Sequence, residues 1–248
     1  MIPIRDKNRS RGTPVVVYVL IGLNCAAFFL ELTLTPAVRG TAIELLGFVP
    51  LRATQALQGD GHLLAAAFLP VFTSMFLHGG WLHLIGNMLY LYIFGDNVEA
   101  RLGRIPFLLY YLACGMAATG LQYALGPSVD IPSIGASGAI AGVLGGYILC
   151  WPRARITTLV PIFFFITLVD LPAVVVLGFW FVLQIFGSVA SLGTEYSHGG
   201  VAYGAHVGGF LAGMALIKLV PKARPRARRT KVTRIPRGQY PGERDRRW

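Results

Sequence analysis

The stretch IPSIGASGAIAGVLGGYILC, residues Ile131–Cys150, carries no charged side chain. Within it, Ser137 stands between Gly135-Ala136 and Gly138 and opens an apolar run ending near Trp151. A helix over 137–151 is about 22 Å long, against a bilayer hydrocarbon core of about 30 Å. Its first turn is therefore expected below the membrane surface. The preceding Gly-Pro-rich loop must dip inward, which is tolerated only where backbone lines protein or water. Ser137 then sits at the mouth of a recessed helix, where water reaches it. The free N–H groups of that first turn are also there, suited to an oxyanion.

A second glycine-rich stretch, GAHVGGFLAG over Gly204–Gly213, is the natural partner. Small residues at four-residue spacing let membrane helices approach closely. Gly138, Gly142, Gly145 and Gly146 on one segment face Gly204, Gly208, Gly209 and Gly213 on the other. Such a pair brings His206 within hydrogen-bond reach of Ser137. A histidine there can take the serine proton and later return it to a leaving amine.

Composition fits this reading. Of 248 residues, 54% are apolar and 13% charged, whereas soluble domains carry about a quarter charged residues. Six spans are expected, over about 15–35, 82–98, 105–125, 137–151, 172–190 and 202–219, in an all-α six-helix bundle. The first run lacks a clear small-residue cleavage site and is read as a retained span. Residues 36–75, interrupted by Pro36, Pro50 and Pro70, form a long outer link that lies partly in the interface. Residues 156–168, ITTLVPIFFFITL, are read as an interfacial hairpin or short helix. Cys25, Cys114 and Cys150 are scattered in apolar runs and make neither a disulfide framework nor a metal site.

The charges orient the bundle. Lys and Arg total 22, and all but Arg39 and Arg52 fall on one side of the expected spans. The positive-inside rule puts that side, with both termini, in the cytoplasm. A bacterial inner membrane is the expected location. Residues 1–14 form a basic arm, 15–219 the membrane domain, and 220–248 a basic tail expected to be disordered and to touch anionic lipid. No stacking aromatics are interleaved in a folded basic motif, so no nucleic-acid partner is expected.

Ionisable or strongly polar groups inside a membrane are costly and usually functional. Four stand out: His83, Asn87, Ser137 and His206. His83 and Asn87 are i and i+4 and share a helical face. His78 is five before His83, about 140° away around a helix. Counted from Arg101, Arg153 and Lys218, helical rise sets Asn87, Ser137 and His206 at about 21, 24 and 18 Å, with His83 near 27 Å. All four can meet in the outer half of the bilayer.

With these residues in place, the chain resembles the rhomboid family of intramembrane serine proteases over most of residues 15–219. The pieces FLHGGWLHLIGNMLYLYIFGDNVEARLG, GASG, LPAVVVLGFWFVLQ and AYGAHVGGFLAGM occur in the family's order. The resemblance implies cleavage of single-span or polytopic membrane-protein substrates by a serine–histidine dyad, without metal or cofactor. It implies Ser137 as nucleophile and His206 as general base. His83 and Asn87 match the side chains that stabilise the oxyanion, with the Ser137 N–H helping. His78, Gly135, Gly138 and Gly208 match structural positions of its motifs. The tryptophan–arginine pair often found in the family's outer loop is missing, and PLRA stands in its region.

Rival readings find less support. A zinc protease needs a ligand pair such as H-E-x-x-H, which the chain lacks. Asp96 and Asp170, the aspartyl-protease candidates, fall at the expected cytoplasmic ends of spans. A transporter would need an inverted repeat or an intramembrane charge pair, and neither is visible. His62 and His198 lie in outer links and are read as non-catalytic. The main alternative is a non-catalytic rhomboid-like protein that binds membrane segments. Such relatives typically lack the serine or histidine that this chain keeps.

Overall fold

A computed structural model describes residues 1–10, 12–59, 64–162, 165–191 and 202–223. His62, His198 and the tail beyond residue 223 lie outside them. Helices cover each of the six ranges expected to span: α1 Val15–Thr33, α6 Trp81–Leu102, α7 Arg104–Leu125, α8 Ser137–Cys150, α9 Ala173–Ser191 and α10 Tyr203–Leu219. By length and composition, α1, α7 and residues 173–190 of α9 are able to cross a membrane, and α8 is a shorter apolar helix. The protein is a helical membrane protein.

The core is built around α8. Every residue from Gly138 to Tyr147 is buried. Helices α6, α7 and α10 surround it, whereas α1 and α9 expose many large apolar side chains, among them Leu30, Val182 and Phe186. Such exposure is expected where lipid is the solvent.

The α8–α10 contact is made backbone to backbone. A Cβ added at Gly209 would collide with the Gly138 carbonyl, and one at Gly213 with the Gly142 carbonyl. On α7, Tyr110 Oη donates to the carbonyls of Gly142 and Gly213 at 2.7 and 3.1 Å, tying α7, α8 and α10 together. Gly138 and Gly208 face α7, where an added Cβ would lie 2.6 Å from Ala118 Cβ and 2.7 Å from Leu121 Cβ respectively. Overpacking of this kind costs about 1–3 kcal/mol, and more where backbone must move. Gly209→Val is therefore expected to lower the thermal unfolding midpoint in detergent. An unchanged midpoint would mean that the two helices can separate freely.

The short helices of the outer link are α2 Pro36–Leu46, α3 Pro50–Leu57, α4 Leu64–Phe68 and α5 Pro70–Thr73. The three prolines expected to break this link instead begin helices. Proline suits that position because its fixed φ is already helical and its missing N–H would be unpaired there anyway. A 3-10 turn, Ser74–Phe76, leads on to α6.

The fold is not all-α, which corrects the sequence expectation. Strands β1 Ile2–Asp6, β2 Arg155–Ile162 and β3 Phe165–Pro172 form an antiparallel sheet in the order β1-β2-β3. The segment read as a hairpin or short helix is a β-hairpin, and the supposedly plain basic arm supplies its third strand. The cause is β-branched and aromatic content read with period two: Ile156 and Thr158 are fully buried on one face. Asp170, expected at the end of a span, lies in β3 instead. Lys7 pairs with its carboxylate and holds it below the usual carboxylate range, and Thr157 Oγ1 donates to it at 2.8 Å.

The arm is also tied into the bundle. Asp6 is buried and accepts from Asn97 Nδ2 at 2.6 Å and from Tyr147 Oη at 2.5 Å. Asp96 accepts from the Ser10 N–H at 3.3 Å. Glu99 accepts from the N–H groups of Val16 and Val17 at 3.1 and 2.9 Å, capping a helix start that has no side-chain cap of its own.

Candidate active site

Ser137 is the first residue of α8. The loop before it is held in by backbone pairing. Phe48 and Ser133 exchange N–H···O bonds of 3.0 and 2.8 Å, and the Gly135 N–H donates to Ser74 O at 2.8 Å. Polar backbone can dip inward because the outer link satisfies it. Beside Ser137 lies a cavity of about 30 Å³ lined by Ser74, Met75, Gly115, Ser133 and Ala205 among others, room for about one or two waters.

The close α8–α10 approach sets Ser137 Oγ 2.7 Å from His206 Nε2. The proton positions follow from the neighbours. Gln184 Nε2 donates to the carbonyl of Trp180 one turn earlier in α9, at 3.3 Å. Its other amide atom, Oε1, is 2.7 Å from His206 Nδ1. A carboxamide oxygen only accepts, so Nδ1 carries the imidazole hydrogen. Nε2 then offers its lone pair, and the Ser137 hydroxyl donates to it. The Trp180 ring lies against His206 with centroids 5.7 Å apart, and Tyr203 meets the imidazole edge-on at 6.5 Å.

On the other side stand the α6 residues. The Gly79 N–H donates to His83 Nδ1 at 3.4 Å, so His83 carries its hydrogen on Nε2. That nitrogen faces Gly135. A Cβ built on Gly135 would sit 2.6 Å from His83 Nε2 and 3.6 Å from Asn87 Nδ2. Gly135 also has φ +118°, a conformation that side chains disfavour. The glycine thus leaves open a small volume reached by both polar groups.

His78 lies in the link before α6, so the helical angle separating it from His83 does not apply. It is fully buried. Its Nδ1 donates to Phe76 O at 3.3 Å, and its Nε2 accepts from Asn87 Nδ2 at 3.0 Å. Burial pushes its pKa down to about 4 and keeps the ring neutral. One hydrogen of the Asn87 amide is thereby used, and the second meets no acceptor among the described residues. Glu31 of α1 accepts from the His78 N–H at 3.1 Å. Arg39 of α2 pairs with Glu31 at 3.4 Å and donates to His78 O at 3.1 Å.

Sequence reasoning missed Gln184, Glu31 and Arg39. Gln184 had a signal, being the single amide in the apolar run LPAVVVLGFWFVLQIFGSVAS. Arg39 had none, because its partners come from α1 and the link before α6. Arg52, the arginine of PLRA, reaches the Glu44 carbonyl instead.

Comparison with known proteins agrees with this architecture. The Rhomboid domain family matches residues 65–223. The chain belongs to the rhomboid family. It is 30% identical over 160 residues to rhomboid-like protein 11, chloroplastic, of Arabidopsis thaliana, covering 60% of this chain and 51% of that one. It is 35% identical over 136 residues to rhomboid protease GluP of Bacillus subtilis (strain 168), covering 55% of this chain and 24% of that one. With rhomboid protein 1, mitochondrial, of Saccharomyces cerevisiae, 30% identity extends over 221 residues, 85% of this chain and 56% of that one. The matches span about half the length of these relatives or less. Because they include chloroplastic and mitochondrial proteins, kinship does not support the bacterial inner membrane over other membranes.

Proposed function

We propose that the chain is an intramembrane serine endopeptidase that hydrolyses peptide bonds in or near transmembrane segments of membrane proteins. The observation that carries this reading is the 2.7 Å Ser137–His206 contact with the lone pair of Nε2 aimed at the hydroxyl. In this mechanism His206 takes the Ser137 proton as Oγ attacks the scissile carbonyl. The tetrahedral oxyanion is held by His83 Nε2–H, the second amide hydrogen of Asn87 and the Ser137 N–H. His206 then protonates the leaving amine, and a water attacks the acyl-enzyme by the same base. Six crossings with both basic termini in the cytoplasm complete the reading.

Labelling by a fluorophosphonate, which reacts only with an activated serine, tests it directly. Covalent modification at Ser137 that disappears in His206→Ala is the expected result. An unlabelled, folded protein would favour the non-catalytic membrane-segment binder.

Substrate is proposed to pass sideways between α6 and α9. Exposed apolar residues line α9, and Trp180 and Phe181 close it against α10, the latter stacked on Phe210 with centroids 4.2 Å apart. Phe181→Ala, which removes the stack on Phe210 but leaves the Trp180 and Gln184 contacts with His206 in place, is expected to ease this passage and speed cleavage several-fold. A disulfide joining α6 to α9 that left the rate unchanged would rule out this route.

A further inference from the structure

Gln184 is a polar side chain, 8% exposed, on a helix whose neighbouring residues Val182, Leu183, Ile185 and Phe186 all face outward. One hydrogen of its amide is committed within its own helix. The NH₂ group donates within α9 to Trp180 O, and this fixes which amide atom is left for α10. That atom is an oxygen, 2.7 Å from His206 Nδ1.

A neutral imidazole with no partner distributes its hydrogen over both nitrogens. Only the form with hydrogen on Nδ1 has a lone pair at Nε2, where the Ser137 hydroxyl lies. An acceptor fixed on Nδ1 selects that form. It also holds the ring plane, and Trp180 one turn away packs against the same ring. The arrangement has the logic of a base oriented by a third group, with a neutral amide where a carboxylate would add a buried charge.

Taking Ser137 and His206 as the dyad, we infer that Gln184 is the positioning residue of this site, holding His206 in the Nδ1–H tautomer and making the working unit Ser137–His206–Gln184. Gln184 touches no reacting atom and acts only through the imidazole. Its contribution therefore belongs to turnover and not to substrate affinity.

The test uses the full-length protein in detergent with ¹⁵N-labelled histidine. The His206 resonances are identified by their loss in His206→Ala. The wild-type protein is expected to show a protonated Nδ1 and an unprotonated Nε2. Gln184→Met, which keeps the length of the side chain and removes the acceptor, is expected to show a mixture of tautomers. Loss of the partner that orients a metal-binding histidine lowers affinity or activity about 10–100-fold, and a fall of the same order is expected for a histidine held as a base. Fluorophosphonate labelling and turnover of Gln184→Met are expected to fall by that factor with KM unchanged. A wild-type Nε2–H resonance overturns the inference, as does a folded Gln184→Met protein with wild-type tautomer and labelling rate. Where Gln184→Met fails to fold, the wild-type spectrum decides alone. The spectrum needs no catalysis, so persistent cleavage by Ser137→Ala would sink the dyad without touching the tautomer result.

Discussion

Ser137→Ala is expected to abolish cleavage of a transmembrane reporter substrate while leaving the protein folded and membrane-embedded. The substitution removes one half-buried oxygen atom, so little packing is lost. Its effect on rate is large because it removes the hydroxyl held against the lone pair of His206 Nε2. Loss of a nucleophile or its base alone lowers turnover by about 10⁶-fold in a serine protease. His206→Ala should be about as severe, since an unassisted hydroxyl is a weak nucleophile at neutral pH. The double variant should be no worse than either single one, because the two residues act as a unit. Rates that multiplied instead would mean that the 2.7 Å contact is structural. Residual cleavage by Ser137→Ala at the wild-type rate would end the protease reading.

The same physics explains which parts of this arrangement the sequence reveals. Ser137 and His206 are legible because a polar group in an apolar helix is costly, and because the glycines around both mark a close helix pair. The backbone contacts of Gly209 and Gly213 with α8 are the physical form of that mark. His83 and Asn87 are legible as an i, i+4 pair. The sheet is not. Its outer strand, Ile2–Asp6, pairs with Ile156–Leu159 across some 150 residues of sequence, and no local pattern announces so distant a partner. The ITTLVPIFFFITL run is ambiguous on its own, since a short apolar run fits a strand or a buried helix equally well. Arg39, Glu31 and His78 form a second such case. Their polar groups meet through folding of the outer link, which periodicity does not describe.

Asn87→Ala is expected to lower turnover by about 10²–10³-fold, the usual effect of removing one oxyanion donor, with little change in KM. The argument is one of timing. Negative charge exists on the carbonyl oxygen only in the transition state, so a donor aimed at it adds nothing to substrate affinity. The structure adds a second consequence. Asn87 also donates to His78 Nε2 at 3.0 Å, and its removal leaves that buried acceptor unpaired, which costs about 1–3 kcal/mol of stability. Both effects should therefore be seen, a lower unfolding midpoint and a lower turnover number. Separating them needs a change at His78 instead. His78→Ala removes the acceptor but keeps the Asn87 amide, so it should destabilise the fold while sparing more of the turnover than Asn87→Ala does. If the two variants lost turnover equally, Asn87 would act through the packing of the link before α6. Stabilisation of the oxyanion would then fall to His83 Nε2–H and the Ser137 N–H alone.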